Sequence, residues 1–199
     1  MKSLFAYKKA TQAVNFFARK EGGKISKMKA LKLIFFADRY HFRKYGRLIT
    51  SDKYFAMEHG PVPSSTKHLV DMNEAQHRLG RDYAERFVQP LSSSELQSIS
   101  DVETKVLSKT DLEALEFAWS KFGRMTAGSL RNLTHSYPEW EKRKRQLLQG
   151  PKKAVKIDLL DFLEEPAGGA DPCSAVDDRR RTAIREFVQQ TQSVEKILY

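Results

Sequence analysis

The side chains best suited to chemistry are few and scattered. Five histidines occur, His41, His59, His68, His77 and His135, with a single cysteine, Cys173. One grouping has the spacing of a working pair: Asp38 and His41 lie one helical turn apart, and His59 comes close to them across a hairpin. A carboxylate beside an imidazole can move a proton or begin a metal site. Neither scheme is completed. There is no HExxH motif or cysteine pair to add ligands, no nucleophile is presented to the histidine, and Cys173 follows a Gly/Pro-rich stretch where a thiol lacks a positioned base. Gly22-Gly23 is an isolated turn, so a phosphate-cradling loop is missing too. A structural hydrogen bond between Asp38 and His41 is the favoured reading, with no enzymatic activity, no metal and no cofactor expected.

The elements that must hold this pair can be read from the pattern around it. Met28, Leu31, Ile34 and Phe35 recur at helical spacing, and the same stripe continues to Asp38, His41, Phe42 and Tyr45. Two polar groups thus extend an apolar face, where each needs a partner. Gly46 can end the helix in a left-handed conformation. Arg47 to Thr50 reads as a short strand, Ser51-Asp52 as a tight turn and Tyr54 to Met57 as the return strand. Gly60-Pro61-Val62-Pro63 fixes the exit, each proline pushing the residue before it toward extended backbone. Ser64 or Ser65 then caps a helix running to about Leu79.

On the N-terminal side, Leu4, Phe5, Ala13, Val14, Phe16 and Phe17 define a first amphipathic helix, closed by Gly22-Gly23, and Ser26 caps the central one. Downstream, Arg86 to Val88 reads as a short strand and the serines at 92–94 as a loop. Thr110 and Glu113 match a capping box for a helix lined by Leu112, Leu115, Phe117, Ala118, Trp119 and Phe122. Thr126 caps another, reaching His135, and Pro138-Glu139-Trp140 opens a third that runs into a basic stretch. Ile157 to Leu163 is a short amphipathic helix. The expected fold is mainly α: a compact helical domain over residues 1–163 with a small antiparallel β-hairpin inserted after the second helix. Residues 164–176 read as a linker. Residues 177–199 read as an amphipathic tail whose stripe of Ile184, Phe187, Val188, Val194, Ile197 and Leu198 must be covered by the domain, a second copy or a partner.

At 199 residues the chain can bury a proper core without staples. The lone cysteine excludes an internal disulfide framework and fits a reducing compartment. No apolar run approaches the roughly 18 residues of a membrane span, and the opening MKSLFAYKK is too interrupted for a signal peptide; a cytoplasmic protein is expected. The formal net charge of +10 points to an acidic partner, either nucleic acid or an acidic protein surface. Seven Lys or Arg against one Glu fall between 141 and 156. Without interleaved aromatics or a recognition helix, that run reads as a solvated face in preference to a nucleic-acid site, which stands as the alternative function.

The run FADRYHFRKYGRLITSDKYFAMEHGPVPS resembles the central signature of the Panacea domain family, the SocA-like antitoxins of bacterial and phage toxin-antitoxin operons. The matching positions are Ala37 to His41, Lys44 to Arg47, Ile49-Thr50, Asp52, Tyr54, Ala56-Met57 and Gly60 to Ser64. A second block, LSKTDLEALEFAWSKFG with LTHSYPEW, is similar to the family's C-terminal half and carries His135 and Trp140. Leu48 stands where proline is frequent and Ser51 where glycine is frequent. The resemblance implies a mostly helical domain that neutralises a cognate toxin by binding it, without catalysis; some members are similar to adaptors that hand the toxin to a AAA+ protease. Arg47, Lys53, Tyr54, Glu58 and His59 are the expected toxin contacts, since tyrosine and arginine favour interfaces. Asp38, His41, Gly46, Gly60, Pro61, Pro63, His135 and Trp140 are read as serving the fold.

Overall fold

A computed structural model of the chain describes residues 5–72, 78–167, 171–174 and 177–198. In chain order these form α1 (Tyr7–Lys20), β1 (Lys24–Ser26), α2 (Lys27–Tyr45), β2 (Tyr54–Met57), β3 (Gly60–Pro63), α3 (Ser64–Val70), α4 (Arg78–Ala84), β4 (Val88–Pro90) and β5 (Glu95–Ser98). There follow α5 (Lys109–Phe122), α6 (Ala127–Thr134), α7 (Pro138–Glu141), α8 (Lys144–Gln149), β6 (Ala154–Lys156) and α9 (Asp178–Leu198). The fold is mainly α with two small antiparallel sheets, ordered β1-β5-β4 and β3-β2-β6.

α2 is the axis of the molecule. Every residue from Lys29 to Arg43 is buried, because α1, α5, α6, β3 and α9 surround it. A helix covered on all sides needs apolar residues all round, and Leu31, Leu33, Ile34, Phe35, Phe36 and Phe42 supply them. Phe36 stacks on Phe122 of α5 with ring centroids 3.9 Å apart, and Phe35 meets Tyr54, Tyr137 and Phe162 edge to face. Each such buried aromatic is worth roughly 1.5–3 kcal/mol of apolar transfer. Ser26 caps the start, accepting from the Lys29 amide, and Gly46 closes the end at φ 72°, where its amide returns to the Phe42 carbonyl.

Several local expectations yield to tertiary partners. Residues 47–50 form no strand; the hairpin is β2 with β3, pairing Tyr54 with Pro63 and Met57 with Gly60, so its turn is Glu58-His59 and not Ser51-Asp52. Gly60 sits at φ 98° despite the proline after it, a conformation the turn demands and glycine tolerates. α3 stops at Val70, with Met72 at φ 52°, so no single helix runs on to Leu79, which belongs to α4. Its first turn is capped by neither Ser64 nor Ser65. The Asp52 carboxylate accepts from the Ser65 and Thr66 amides and the Thr66 hydroxyl at 2.7–2.9 Å. α5 starts one cap earlier than Thr110: Ser108 and Asp111 form the reciprocal box.

The helix opened by Pro138 breaks into α7 and α8, and β6 then adds a third strand to the hairpin beside β2. Leu159–Leu163 is a 3-10 turn that buries Phe162 and Leu163. The expected linker is partly interior, since Asp171 and Cys173 are both buried; Asp171 is drawn in by Arg39 and Tyr137. The following helix is covered by its own domain: Ile184 and Val188 of α9 are buried and the helix lies against α2, while Phe187 is exposed. The side chains of Val194, Ile197 and Leu198 lie outside the described residues, as does His77.

Candidate functional site

Asp38 and His41 do not pair with each other. Asp38 turns toward the chain leaving α2, where its carboxylate accepts from the Ile49 amide at 2.6 Å, the Thr50 amide at 3.2 Å, the Thr50 hydroxyl at 2.5 Å and the Tyr54 hydroxyl at 2.8 Å. Burial pushes its pKa up to about 6 against these four donors. This one carboxylate satisfies the buried amides of a strandless segment and fixes the start of β2, which is why 47–50 needs no ladder.

His41 faces the opposite way, to α5. Its Nδ1 lies 2.8 Å from the Arg47 carbonyl and its Nε2 3.0 Å from the Thr110 hydroxyl, with the Asp111 carboxylate at 3.4 Å. Burial lowers its pKa, helped by the Arg47 charge, and the hydrogen bond to the Arg47 carbonyl together with Asp111 only partly offsets this. Asp111 is itself held by Lys9 at 2.6 Å and Arg47 at 3.1 Å. The carboxylate beside the imidazole thus comes from residue 111, some 70 positions away, and its charge is already spent on two cations. Both groups of the expected pair are fully buried and hydrogen-bonded to the fold.

Sequence reasoning passed over two arginines on the same helix. Arg39 is fully buried between Glu139 and Asp171, bonding the latter at 3.0 Å, and stacks 4.8 Å from the Tyr137 ring. Burial opposes its charge, but the two carboxylates outweigh this and raise its pKa. Arg43 ties the same side to Glu165 and to the carbonyls of Phe162 and Glu164 at 3.2 Å. The signal was present as arginines on an otherwise apolar helix; their partners lie about 100 residues or more downstream. Cys173 is buried in this cluster, and burial together with Asp171 pushes its thiol well above its usual range, away from nucleophilic use.

The five expected toxin contacts do not form one patch. Tyr54 is interior, 1 % exposed, with its hydroxyl on Asp38, so it is withdrawn from any contact surface. Arg47 is exposed but faces the α5 cap, donating to Ser108 and Thr110. Lys53 lies exposed before β2, and Glu58 and His59 are exposed at the turn, the far end of a strand some 13 Å long. Pro61 and Pro63 lie buried in β3. His135 and Trp140 stack face to face at 3.8 Å, and the Trp140 indole donates to the Met57 carbonyl at 2.8 Å, pinning α7 to the hairpin.

The basic stretch is partly neutralised by acids of the chain, at the surface for Lys142 and Lys144. Lys142 reaches Asp161 at 2.8 Å and Glu164 at 2.6 Å, Arg143 also reaches Asp161, and Lys144 meets Glu141 at 3.3 Å. Among the described residues no group of three His, Cys, Asp or Glu is placed to hold a metal ion. No described helix is long and apolar enough to cross a membrane.

Asp38, Arg39 and His41 of the signature are thus engaged inside the helical domain. The family model for the SocA-like antitoxin, Panacea domain, matches residues 31–141, more than half of the chain, and the chain belongs to that family. The matched span runs from the second turn of α2 to the end of α7. No curated protein and no solved structure matches the chain.

Proposed function

We propose that the chain neutralises a cognate protein toxin by direct stoichiometric binding, in the cytoplasm of a bacterium that carries the pair in its own genome or in a prophage, and that it performs no reaction of its own. The observation that carries this reading is membership of the antitoxin family over residues 31–141. The fate of the polar groups on α2 supports it: Asp38, Arg39, His41 and Arg43 are buried and committed to structural partners, which leaves recognition to exposed groups such as Lys53, Glu58 and His59. Pairing of Lys142 and Arg143 with Asp161 and Glu164 weighs against a nucleic-acid role for the basic stretch.

Co-expression with the protein of the neighbouring reading frame tests it. The expected result is restored growth together with a complex of fixed stoichiometry on gel filtration. Toxin loss that requires a host AAA+ protease would replace masking with delivery for degradation, and failure to bind or rescue against any neighbouring toxin would sink the antitoxin reading. A steep salt-dependent affinity for DNA or RNA would favour the regulator instead.

A further inference from the structure

Among the described residues four Lys or Arg side chains are buried: Lys29, Lys32, Arg39 and Arg43. Three of them have a carboxylate in contact, Lys29 with Glu21, Arg39 with Glu139 and Asp171, Arg43 with Glu165. Lys32 has none. Its ammonium, on α2, donates to the Pro61 carbonyl at 2.8 Å, and its surroundings add positive charge. Burial, with the Arg131 guanidinium second, pulls its pKa down to about 7.

Arg131 of α6 makes one side-chain hydrogen bond, to Asn132 at 3.2 Å, and its buried Nε has no partner. His135, one helical turn on, also has a buried nitrogen without a partner, Nε2. Burial, Arg131, Lys32 and His59 together press its pKa down to about 4. The acid acting the other way is Glu141, already engaged by Lys144. Gly60 makes the close approach at the turn possible: a Cβ there would stand 2.9 Å from the Lys32 ammonium and 2.6 Å from the Thr134 hydroxyl. Gathering basic groups away from water without a counterion is costly, and the Arg131 Nε and His135 Nε2 have no internal partner.

We propose that Lys32, Arg131 and His135, with the exposed His59 at the β2–β3 turn, form an anion subsite that receives a carboxylate from an acidic segment of the partner protein. This rests on the reading of the chain as a protein-binding antitoxin and names the chemistry of one contact. Arg131 holds unspent N–H donors, His135 adds an unpartnered ring nitrogen that donates when protonated, and Lys32 is the buried amine behind them. A carboxylate fits better than a nucleic-acid backbone, because Lys32 is recessed and a phosphate track wants a run of exposed cations. Of the neighbouring basic run, Lys142 and Arg143 are already paired with acids.

The stacked Trp140 is a built-in reporter. The full chain is titrated with sodium acetate, then with a hexaglutamate peptide, while NMR follows the His135 imidazole and Trp140 indole signals; sodium chloride at equal ionic strength is the control. Saturable shifts with acetate, at lower concentration with the peptide, are expected. Arg131→Gln should weaken peptide binding about tenfold, the loss of one charge-assisted contact. His59→Gln, at an exposed position, serves as a second variant and should weaken it less. Equal shifts with chloride, or peptide affinity unchanged in both variants, would overturn the subsite. So would an oligothymidine that moves the same signals at lower concentration than the peptide, which would assign the site to phosphate. A chain that neutralises toxin yet shows no acetate shift would remove the subsite and leave the antitoxin reading. An acetate shift in a chain that binds no toxin would support the subsite and remove that reading.

Discussion

Arg39 and Lys32 lie two turns apart on the same buried helix, yet they are treated in opposite ways. Around Arg39, chain from two distant places converges to bring Glu139 and Asp171 into contact and Tyr137 against the guanidinium. Around Lys32, the neighbours that matter electrostatically are Arg131 and His135, and the acceptor is a neutral carbonyl. Both side chains are desolvated, so the contrast separates a charge that the fold has answered from one that it has left open. The answered charge locks the C-terminal segment onto α2. The open one sits beside an exposed hairpin turn, where a partner can reach its neighbours.

Removing the answered charge should have the largest effect. Arg39→Met leaves Glu139 and Asp171 buried without their cation and should cost about 3–5 kcal/mol in urea unfolding, with release of the C-terminal segment to proteolysis. A loss below about 1 kcal/mol would mean that the network contributes little and the comparison has no basis.

His41→Ala is intermediate. It deletes contacts to the Arg47 carbonyl and the Thr110 hydroxyl and should lower stability by about 2 kcal/mol while toxin rescue at low temperature persists. A variant with native stability that cannot neutralise toxin would move His41 from the fold to the recognition surface.

The smallest effect belongs to Lys32, and it has the opposite sign. Its pKa is lowered in the folded chain, so between about 7 and 10.5 the unfolded state binds more protons and stability rises with pH across that window. Lys32→Met should flatten the rise and stabilise the chain below pH 7 by on the order of 1–2 kcal/mol, the relief of an unpaired charge less its bond to Pro61. A variant as damaged as Arg39→Met would show that Lys32 is answered after all.

How much of this could be read without coordinates depends on range. The α2 stripe, the Ser26 and Thr126 caps and the Gly46 stop are decided within a few residues, and each was legible. The capping box was misplaced by two residues because Ser108-x-x-Asp111 and Thr110-x-x-Glu113 satisfy the same local rule. Tertiary contacts chose between them: Thr110 turns to His41, and Glu113 is taken by Lys44, Tyr40 and Tyr45. Likewise the Asp38–His41 spacing promised a pair, but Asp38 found three donors in the exit loop and a fourth on Tyr54 of β2, and His41 found α5. The strand assigned to 47–50 failed for the same reason, since a carboxylate satisfied the amides that a ladder would otherwise claim.

The chain's own pattern therefore determined that it is helical, where its central helix starts and stops, that the Leu31 to Val70 stretch is its centre, and which family it belongs to. Local spacing carries that much because caps, stripes and glycine stops act over three or four residues. Which buried charges are answered was decided only by tertiary structure, since Glu139, Asp171 and Asp111 lie about 70 to 130 residues from the groups they serve. Partner choice at that range follows from how α5, α7 and the C-terminal segment close around α2. The same closure leaves Lys32 without an acid.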